Sequence, residues 1–116
     1  MEEIEADRVG RALAAAAACD QVVVLKGRPT IIAAPDGRYR INPSGDERLA
    51  TCGSGDVLAG ITGALLAQMP GLAFEAATAA AYLHGRAAEL WPYPVGLAAG
   101  DLPGLIPDAW RSILAA

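Results

Sequence analysis

A glycine-rich turn within residues 50–60 is the segment of this chain best suited to chemistry; it reads Ala-Thr-Cys-Gly-Ser-Gly-Asp-Val-Leu-Ala-Gly. Gly53 and Gly55 can adopt backbone angles that other residues avoid, which lets their N–H groups face an anion. The apolar run that begins at Val57 predicts a helix, whose free N–H groups and positive dipole end would point into the same turn. Asp56 would then stand beside a bound phosphate, where its carboxylate could accept a proton from a hydroxyl group.

The same turn also has a purely structural interpretation, which the local sequence leaves open. Gly53, Ser54 and Gly55 could supply backbone donors to phosphate oxygens, with Asp56 as the base. Alternatively, the four residues only cap a helix, and the carboxylate complements the helix dipole. A Gly-x-Gly-Asp motif is short enough to recur by chance, so these residues alone do not separate the two.

A second candidate segment, residues 26–30, follows an apolar β-branched run at residues 22–25. In open α/β sheets, ligands bind at the carboxyl ends of strands, which is where the chain's single lysine would stand. The alternative is a solvated lysine before a tight turn. The residues of this candidate segment are Lys26, Gly27, Arg28, Pro29 and Thr30.

Other reactive side chains are interpreted as structural. His84, inside an alanine-rich segment, is typical of a packed or capped histidine rather than a base. We expect Cys52 to be a small buried residue beside the turn, and Cys52 and Cys19 to be free thiols in a reducing cytoplasm. Arg38 and Arg40 alternate with apolar residues, as on a solvated strand face.

The elements that would position these residues follow from apolar patterning. Residues 4–19 predict an amphipathic helix, and the continuous apolarity of residues 22–25 predicts a strand buried on both faces, as in a parallel sheet. The Pro-Asp-Gly turn at residues 35–37 predicts a hairpin. Residues 57–69 are apolar nearly all round, and this pattern is typical of a buried helix whose glycines allow close contact with a neighbour. Two further helices are predicted, at residues 76–90 and from about Asp101 onward, the last broken or kinked at Pro107.

Length and charge narrow the class of protein. The chain of 116 residues is short enough for one domain, and 53% of its residues are hydrophobic, so a buried core is expected. The net charge of −4 argues against nucleic acid as a partner. No apolar run approaches the roughly 18–20 residues needed to cross a membrane.

The motifs also occur in an order that resembles a known family. The stretch Val-Val-Val-Leu-Lys-Gly-x-x-Thr is followed by the Pro-Asp-Gly hairpin, then by Asn-Pro-Ser-Gly at residues 42–45 and Leu-Ala-Thr-x-Gly-Ser-Gly-Asp-Val-Leu-x-Gly at residues 49–60. Residues 82–85 and 97–102 continue the pattern. Together they are similar to the ADP/ATP-dependent NAD(P)H-hydrate dehydratases of the ribokinase-like superfamily. The resemblance implies a three-layer α/β fold, with residues 1–116 forming the C-terminal portion of a single ribokinase-like domain.

The resemblance also implies an activity and roles for the candidate residues. Members of the family repair NADH and NADPH that have been hydrated on the nicotinamide ring. The ring hydroxyl is phosphorylated by ADP or ATP, and phosphate then leaves. By resemblance, residues 26–30 would belong to the adenine-nucleotide site, Gly55 would lie against the nucleotide, and Asp56 would face the hydrated substrate as the base. Mg²⁺ would be expected with ATP, although the sequence shows no ligand set for it.

Two departures from the family pattern carry expectations of their own. The family loop Gly-Asn-Pro-x-Met-Ala-Thr is here Gly-Asp-Glu-Arg-Leu-Ala-Thr at residues 45–51, which is more charged and is expected to be looser. Family members are more than twice as long, so most of the parallel strands and much of the substrate pocket would lie outside this chain. Since an uncovered apolar sheet edge tends to pair with another chain, we expect a homo-oligomer or association with the missing N-terminal half.

Two rival functions remain at this point. A vitamin or sugar kinase of the same superfamily would share Gly-Ser-Gly-Asp, although the context of Lys-Gly-x-x-Thr and Leu-Ala-Thr favours the dehydratase. A catalytically silent nucleotide-binding module is the other.

Overall fold

A computed structural model describes residues 3–114 of the chain. Within this range the protein has four α-helices, three short strands and two turns of 3₁₀-helix. The helices are α1 (Glu3–Cys19), α2 (Ser54–Gln68), α3 (Ala73–Glu89) and α4 (Leu102–Leu114); the strands are β1 (Val23–Leu25), β2 (Ile31–Ala33) and β3 (Tyr39–Ile41); the 3₁₀ turns are Glu47–Leu49 and Ala99–Asp101.

The sheet is antiparallel throughout, with strand order β1-β2-β3. The predicted hairpin is confirmed: Ala33 pairs with Tyr39, and the Ala34 N–H donates to the carbonyl of Arg38 at 2.8 Å. Gly37 closes the turn with a φ of 97°. The predicted parallel pairing of residues 22–25 is wrong within this chain, because β1 runs antiparallel to β2 and is half-buried rather than fully buried.

Helices cover both faces of the sheet and produce the predicted three-layer α/β architecture. On one face, α1 packs Val9, Ala12 and Ala16 against β2. On the other face, α3 packs against Ile32, which is fully buried in the centre of β2. Because successive strand residues point to opposite faces, the two sets of contacts alternate along the same strand.

A third cluster of apolar side chains joins α2, α3 and α4 beside the sheet. Its members include Leu58, Leu65, Leu83, Leu102 and Ala109. The small alanine side chains on α3 let the neighbouring helices approach closely, so a wide face of α3 is buried. This arrangement places the first turn of α2 next to the end of β1.

The prediction that the helix after the glycine turn is buried all round is wrong for the described residues. Of α2, only Ser54, Leu58 and Leu65 are buried, and Leu66 is 40% exposed. A side-chain carbon added at Gly60 or Gly63 would meet no atom within 4 Å. The outer face of α2 is therefore open.

The last helix is not broken at Pro107, because α4 continues through that residue. A proline in a helix removes one backbone hydrogen bond. Here it lies in the second turn, and the buried residues Leu102 and Ala109 on either side fix the helix to α3.

No helix within residues 3–114 is long and apolar enough to cross a membrane.

Candidate functional site

A cleft of about 850 Å³ lies between the end of β1, the loop that leads into α2, and the face of α3. It brings together the two segments that the sequence singled out, because residues 26–30 line it together with Ser54 and Gly55. Two predicted site residues, Gly53 and Asp56, are not among its lining, and the side chain of Asp56 is exposed. The structure thus assembles the predicted anion-binding residues in one place and leaves the predicted base at its margin.

The first turn of α2 presents a single free backbone donor to this cleft. Gly53 has a φ of 90°, which lets the chain enter the helix at Ser54. The N–H of Ser54 donates to the carbonyl of Thr51, and that of Asp56 donates to the carbonyl of Gly53, at 3.2 and 3.1 Å. The Gly55 N–H has no backbone partner among residues 3–114, so it is the group available to an anion.

Gly53 provides a positive φ, whereas Gly55 has an ordinary helical backbone and instead leaves space for a neighbouring side chain. A side-chain carbon at Gly55 would lie 2.8 Å from the Nζ atom of Lys26. The lysine ammonium therefore lies beside the Cα atom of Gly55, at the first turn of α2. Lys26 forms no salt bridge with any described residue, so its charge remains available to a ligand.

The wall opposite Lys26 is held by α3, through residues that the sequence analysis did not assign to the site. The Asn42 side-chain amide donates to the carbonyl of Ala81 at 3.0 Å, and the Ser44 hydroxyl lies 3.0 Å from the carbonyl of Tyr82. Gly85 on α3 allows this approach, since a side-chain carbon there would lie 2.6 Å from the backbone carbon of Ser44. The only sequence signal was the turn-forming Asn-Pro-Ser-Gly motif, which does not reveal which helix it packs against.

The charged loop at residues 45–51 is bonded at several points, so the expectation that it is looser is not supported by its contacts. Arg48 pairs with Asp46 at 2.6 Å and also donates to the carbonyls of Trp91 and Tyr93 at 2.7 and 2.9 Å. The hydrogen bonds from Arg48 hold the pKa of Asp46 below its ordinary value. Arg48 thus ties the loop to the segment that follows α3.

One ion pair joins the two walls of the cleft. Arg28, on the Lys26 side, lies 3.4 Å from Glu47 on the loop side, and both side chains are more than 70% exposed. Exposed pairs of this kind contribute little to stability, about 0–1 kcal/mol. An anionic ligand in the cleft would compete with Glu47 for the Arg28 guanidinium.

His84 lies on the α3 side of the cleft and is 6% exposed, as expected of a packed histidine. Its Nε2 atom is 2.9 Å from the carbonyl oxygen of Ser54. Burial lowers the pKa of His84 from its ordinary value of 6.5, the Ser54 contact acts in the opposite direction, and the charge of Lys26 lowers it further. The ring is therefore neutral at physiological pH.

The cysteine beside the glycine turn differs from its prediction. Cys52 is exposed rather than buried, and both Cys19 and Cys52 are free thiols. Neither lines the cleft.

A second, smaller cavity of about 440 Å³ lies on the other side of α3, among Phe74, Leu83, Trp110 and the guanidinium groups of Arg38 and Arg40. It contains none of the residues predicted for the site. Arg38 is paired there with Glu75 at 3.1 Å. The larger cleft is the candidate site, because it brings together Lys26, Gly55 and the other residues of the two segments that the sequence singled out.

The described part of the chain offers a metal ion no ready-made ligand set. Within residues 3–114, no group of three or more His, Cys, Asp or Glu side chains is placed to hold one. Lys26 and the Gly55 N–H are groups of the kind that interact with anionic oxygens. Any divalent ion would depend on the ligand for its coordination.

The three-layer α/β fold and this cleft form a candidate anion-binding site, in which a lysine stands at a helix N-terminus. Comparison with known proteins makes the assignment specific. The family model described as NAD(P)H-hydrate dehydratase matches residues 1–108. The chain belongs to this family.

Individual relatives support the same assignment over most of the chain. The ADP-dependent (S)-NAD(P)H-hydrate dehydratase of Neisseria meningitidis is 48% identical over 110 residues, which cover 94% of this chain and 36% of the relative. The enzyme of the same name from Bacillus subtilis is 38% identical, with 96% of this chain and 41% of the relative covered. A bifunctional NAD(P)H-hydrate repair enzyme from Thermofilum pendens is 42% identical, with 97% and 22% covered.

A solved structure gives the same result for the fold. The ADP/ATP-dependent NAD(P)H-hydrate dehydratase of Bacillus subtilis, co-crystallised with ATP/Mg²⁺ and soaked with CoA, superposes with a TM-score of 0.86 at 37% identity. The match covers 95% of this chain and 42% of the solved chain. The predicted resemblance to the C-terminal part of the family is thereby confirmed. The chain spans between about a fifth and two fifths of the length of the relatives described here.

Proposed function

We propose that this chain provides the nucleotide-binding and catalytic portion of an ADP- or ATP-dependent dehydratase acting on hydrated NADH and NADPH. The observation that carries the proposal is the contact between the Lys26 ammonium and Gly55 at the N-terminus of α2. Membership of the dehydratase family gives that anion site a substrate class.

The nucleotide occupies the cleft in this proposal. Its phosphate groups meet Nζ of Lys26 and the N–H of Gly55, a combination of full charge, helix dipole and a free donor. Arg28 exchanges its exposed partner Glu47 for the ligand. The remaining nucleotide-binding residues of the proposal are Gly27, Pro29, Thr30, Gly53 and Ser54.

Asp56 acts on the second substrate, from the margin of the cleft. Its carboxylate accepts the proton of the ring hydroxyl while that oxygen takes a phosphoryl group from the nucleotide. Departure of phosphate, together with loss of a proton from the ring, then restores the dihydronicotinamide. Because the Asp56 side chain is exposed, the hydrated nucleotide approaches it from outside the cleft.

Mg²⁺ enters the proposal only as a companion of the nucleotide phosphates. The described residues offer it no cluster of ligands, so no residue of this chain is assigned to it. When bound, the ion would neutralise phosphate charge.

The proposal includes a protein partner, since the substrate side of Asp56 is open. The outer face of α2 is uncovered, and β1 pairs on one side only within the described residues. An unpaired strand edge recruits another chain. We assign this surface to the polypeptide that corresponds to the rest of the family fold or to a second copy of the chain, in a reducing cytoplasm that keeps both thiols free. A compact monomer in sedimentation at micromolar concentration would count against either partner.

The proposal is tested in a chimera in which this chain replaces the matching segment of the Neisseria meningitidis relative. Hydrated NADH is incubated with the chimera and ADP or ATP, and the absorbance of the reduced ring is followed. We expect the absorbance to return. A phosphorylated small molecule without ring repair would instead indicate a kinase, and ADP binding without any product would indicate a silent nucleotide-binding module.

The role of Asp56 is tested by Asp56→Asn in the same chimera. We expect nucleotide binding to be retained and turnover to fall by roughly 10²–10⁴-fold, the usual contribution of a general base. Asp46→Asn, which alters a carboxylate that is paired with Arg48, provides the matched control. Near-normal turnover in the Asp56 variant would refute its assignment as the base.

A further inference from the structure

A buried histidine joins α3 to the first turn of α2, and the proposed function gives it no role. His84 lies within the alanine-rich helix α3, and its side chain is buried, with 6% of the residue exposed. A buried polar ring costs free energy unless it is hydrogen-bonded. Its contact with Ser54 therefore indicates why a histidine occupies this position.

The contact defines which ring nitrogen carries the proton. Nε2 lies 2.9 Å from the backbone oxygen of Ser54, and a carbonyl oxygen can only accept a hydrogen bond. The Ser54 hydroxyl is farther away, at 3.5 Å. Nε2 thus bears the hydrogen and donates it to the Ser54 carbonyl, and the neutral ring has no proton on Nδ1.

This hydrogen bond acts on the anion site through one peptide plane. The Ser54 carbonyl and the Gly55 N–H belong to the same planar, trans peptide unit, in which C=O and N–H point in opposite directions. Holding the Ser54 oxygen toward α3 therefore directs the Gly55 N–H away from α3, and the Lys26 ammonium lies beside the same glycine. The Gly55 N–H is the donor that remains free among the described residues.

We infer that His84 is a positioning residue for phosphate: its Nε2–H fixes the Ser54–Gly55 peptide so that the Gly55 N–H faces the anion next to Lys26. The inference rests on the proposed nucleotide site and adds to it a residue that does not touch the ligand's phosphates itself. The glycine turn is thus oriented from the neighbouring helix as well as by its own conformation.

The test compares two ligands that differ only in phosphate. Dissociation constants of the full chain for ADP and for adenosine are measured by calorimetry, for the wild type and for two variants. His84→Leu removes the donor, and we expect about tenfold weaker binding of ADP with adenosine affinity unchanged, the loss expected for one hydrogen bond to a charged group. His84→Gln keeps an N–H donor and is expected to retain ADP affinity within about threefold.

A structural role alone gives a different pattern. Leu83→Val, at a buried neighbour on α3, loosens packing while keeping the His84 donor, and is expected to leave the ratio of ADP to adenosine affinity unchanged. An equal loss for both ligands in His84→Leu, or an unchanged ADP affinity, would overturn the inference while leaving the nucleotide site in place. A wild-type chain that binds neither ligand would overturn the site and the inference together.

The tautomer provides a measurement that needs neither a variant nor a ligand. Nitrogen chemical shifts of the ring at neutral pH are expected to show the proton on Nε2. A proton on Nδ1 would exclude donation to Ser54 and overturn the inference even if His84→Leu fails to fold.

Discussion

The two walls of the cleft are built in contrasting ways. The wall formed by residues 42–45 and 53–55 is hydrogen-bonded to α3 at several points. These bonds involve the side chains of Asn42, Ser44, His84 and Glu89. The wall formed by residues 26–30 has fewer contacts among the described residues: a hydrogen bond from the Thr30 hydroxyl to the carbonyl of Gly27 at 3.2 Å, one from the Asn42 N–H to the carbonyl of Thr30 at 2.9 Å, and one exposed ion pair. The first wall is fixed before a ligand arrives, whereas the second keeps its charge for the ligand.

Because of this contrast, substitutions in the two walls should differ in how they affect the free energy of unfolding and the affinity for a ligand. Changes on the α3 side disturb packing and buried hydrogen bonds, so they should lower the free energy of unfolding. Changes on the Lys26 side remove charge from solvent-exposed positions, so they should weaken binding and leave the fold intact. Three measurements test that separation.

The largest effect is expected from Gly85→Ala. The added carbon would lie 2.6 Å from the Ser44 backbone, and the overlap cannot be relieved by turning a side chain. We expect a loss of about 2 kcal/mol in the free energy of unfolding, after the better helix propensity of alanine has offset part of the strain. Urea titration of the full chain measures it.

Gly63→Ala is the matched control for this prediction, because Gly63 is also helical but faces open space. It should stabilise the chain by roughly 0.5–1 kcal/mol. Equal behaviour of the two variants would mean that the wall is not held against α3.

A smaller effect, on binding alone, is expected from Lys26→Met. The variant removes the charge and keeps the length of the side chain, so ADP affinity should fall about tenfold. The free energy of unfolding should change by less than about 0.5 kcal/mol, because the lysine has no ion-pair partner among residues 3–114. Calorimetry and urea titration on the same samples separate the two quantities, and a large loss of stability would remove the distinction between the walls.

The smallest effect is expected from pH. Because the pKa of His84 is lowered in the folded chain, the unfolded chain binds its proton first. The free energy of unfolding should therefore be constant above the ordinary value of 6.5 and decrease as the pH falls below it toward the lowered pKa. The pKa values of the Asp36 and Asp46 carboxyl groups are also lowered in the folded chain, so these groups decrease the free energy of unfolding as the pH falls below their ordinary pKa of 3.8.

His84→Gln supplies the control for the pH series. His84 is the chain's single histidine, so the variant should lose the decrease in the free energy of unfolding that begins below pH 6.5 and keep the decrease that carboxylates cause at lower pH. An unchanged slope would assign the effect to other groups.

Local sequence predicted those features that depend on near neighbours. The Pro-Asp-Gly turn determines the hairpin, and the glycine turn determines where α2 begins, to within three residues of the predicted Val57. The candidate segments around Lys26 and Gly55 were also found, because a strand end and a helix start each leave a signature in the sequence. Their shared cleft required the fold.

Features that depend on distant partners could not be predicted. An apolar run such as residues 22–25 does not encode the direction of its neighbour, and β1 pairs antiparallel because β2 follows after a short turn. The apolar residues on all sides of α2 predicted a buried helix. Burial also depends on which elements cover the helix, and none of the described residues covers its outer face. The charges of residues 46–48 suggested a loose loop, but the carbonyls of Trp91 and Tyr93, far along the chain, complete the contacts of Arg48.

The Arg48 contacts have a kinetic consequence. A guanidinium that is bonded to one carboxylate and two carbonyls leaves residues 46–48 little freedom to move aside for a departing molecule. The mouth of the cleft then widens on the Arg28 side, where a single exposed ion pair has to separate. Salt screens such pairs, so the rates of ligand entry and release should depend on ionic strength. The equilibrium position of the cleft wall need not change with it.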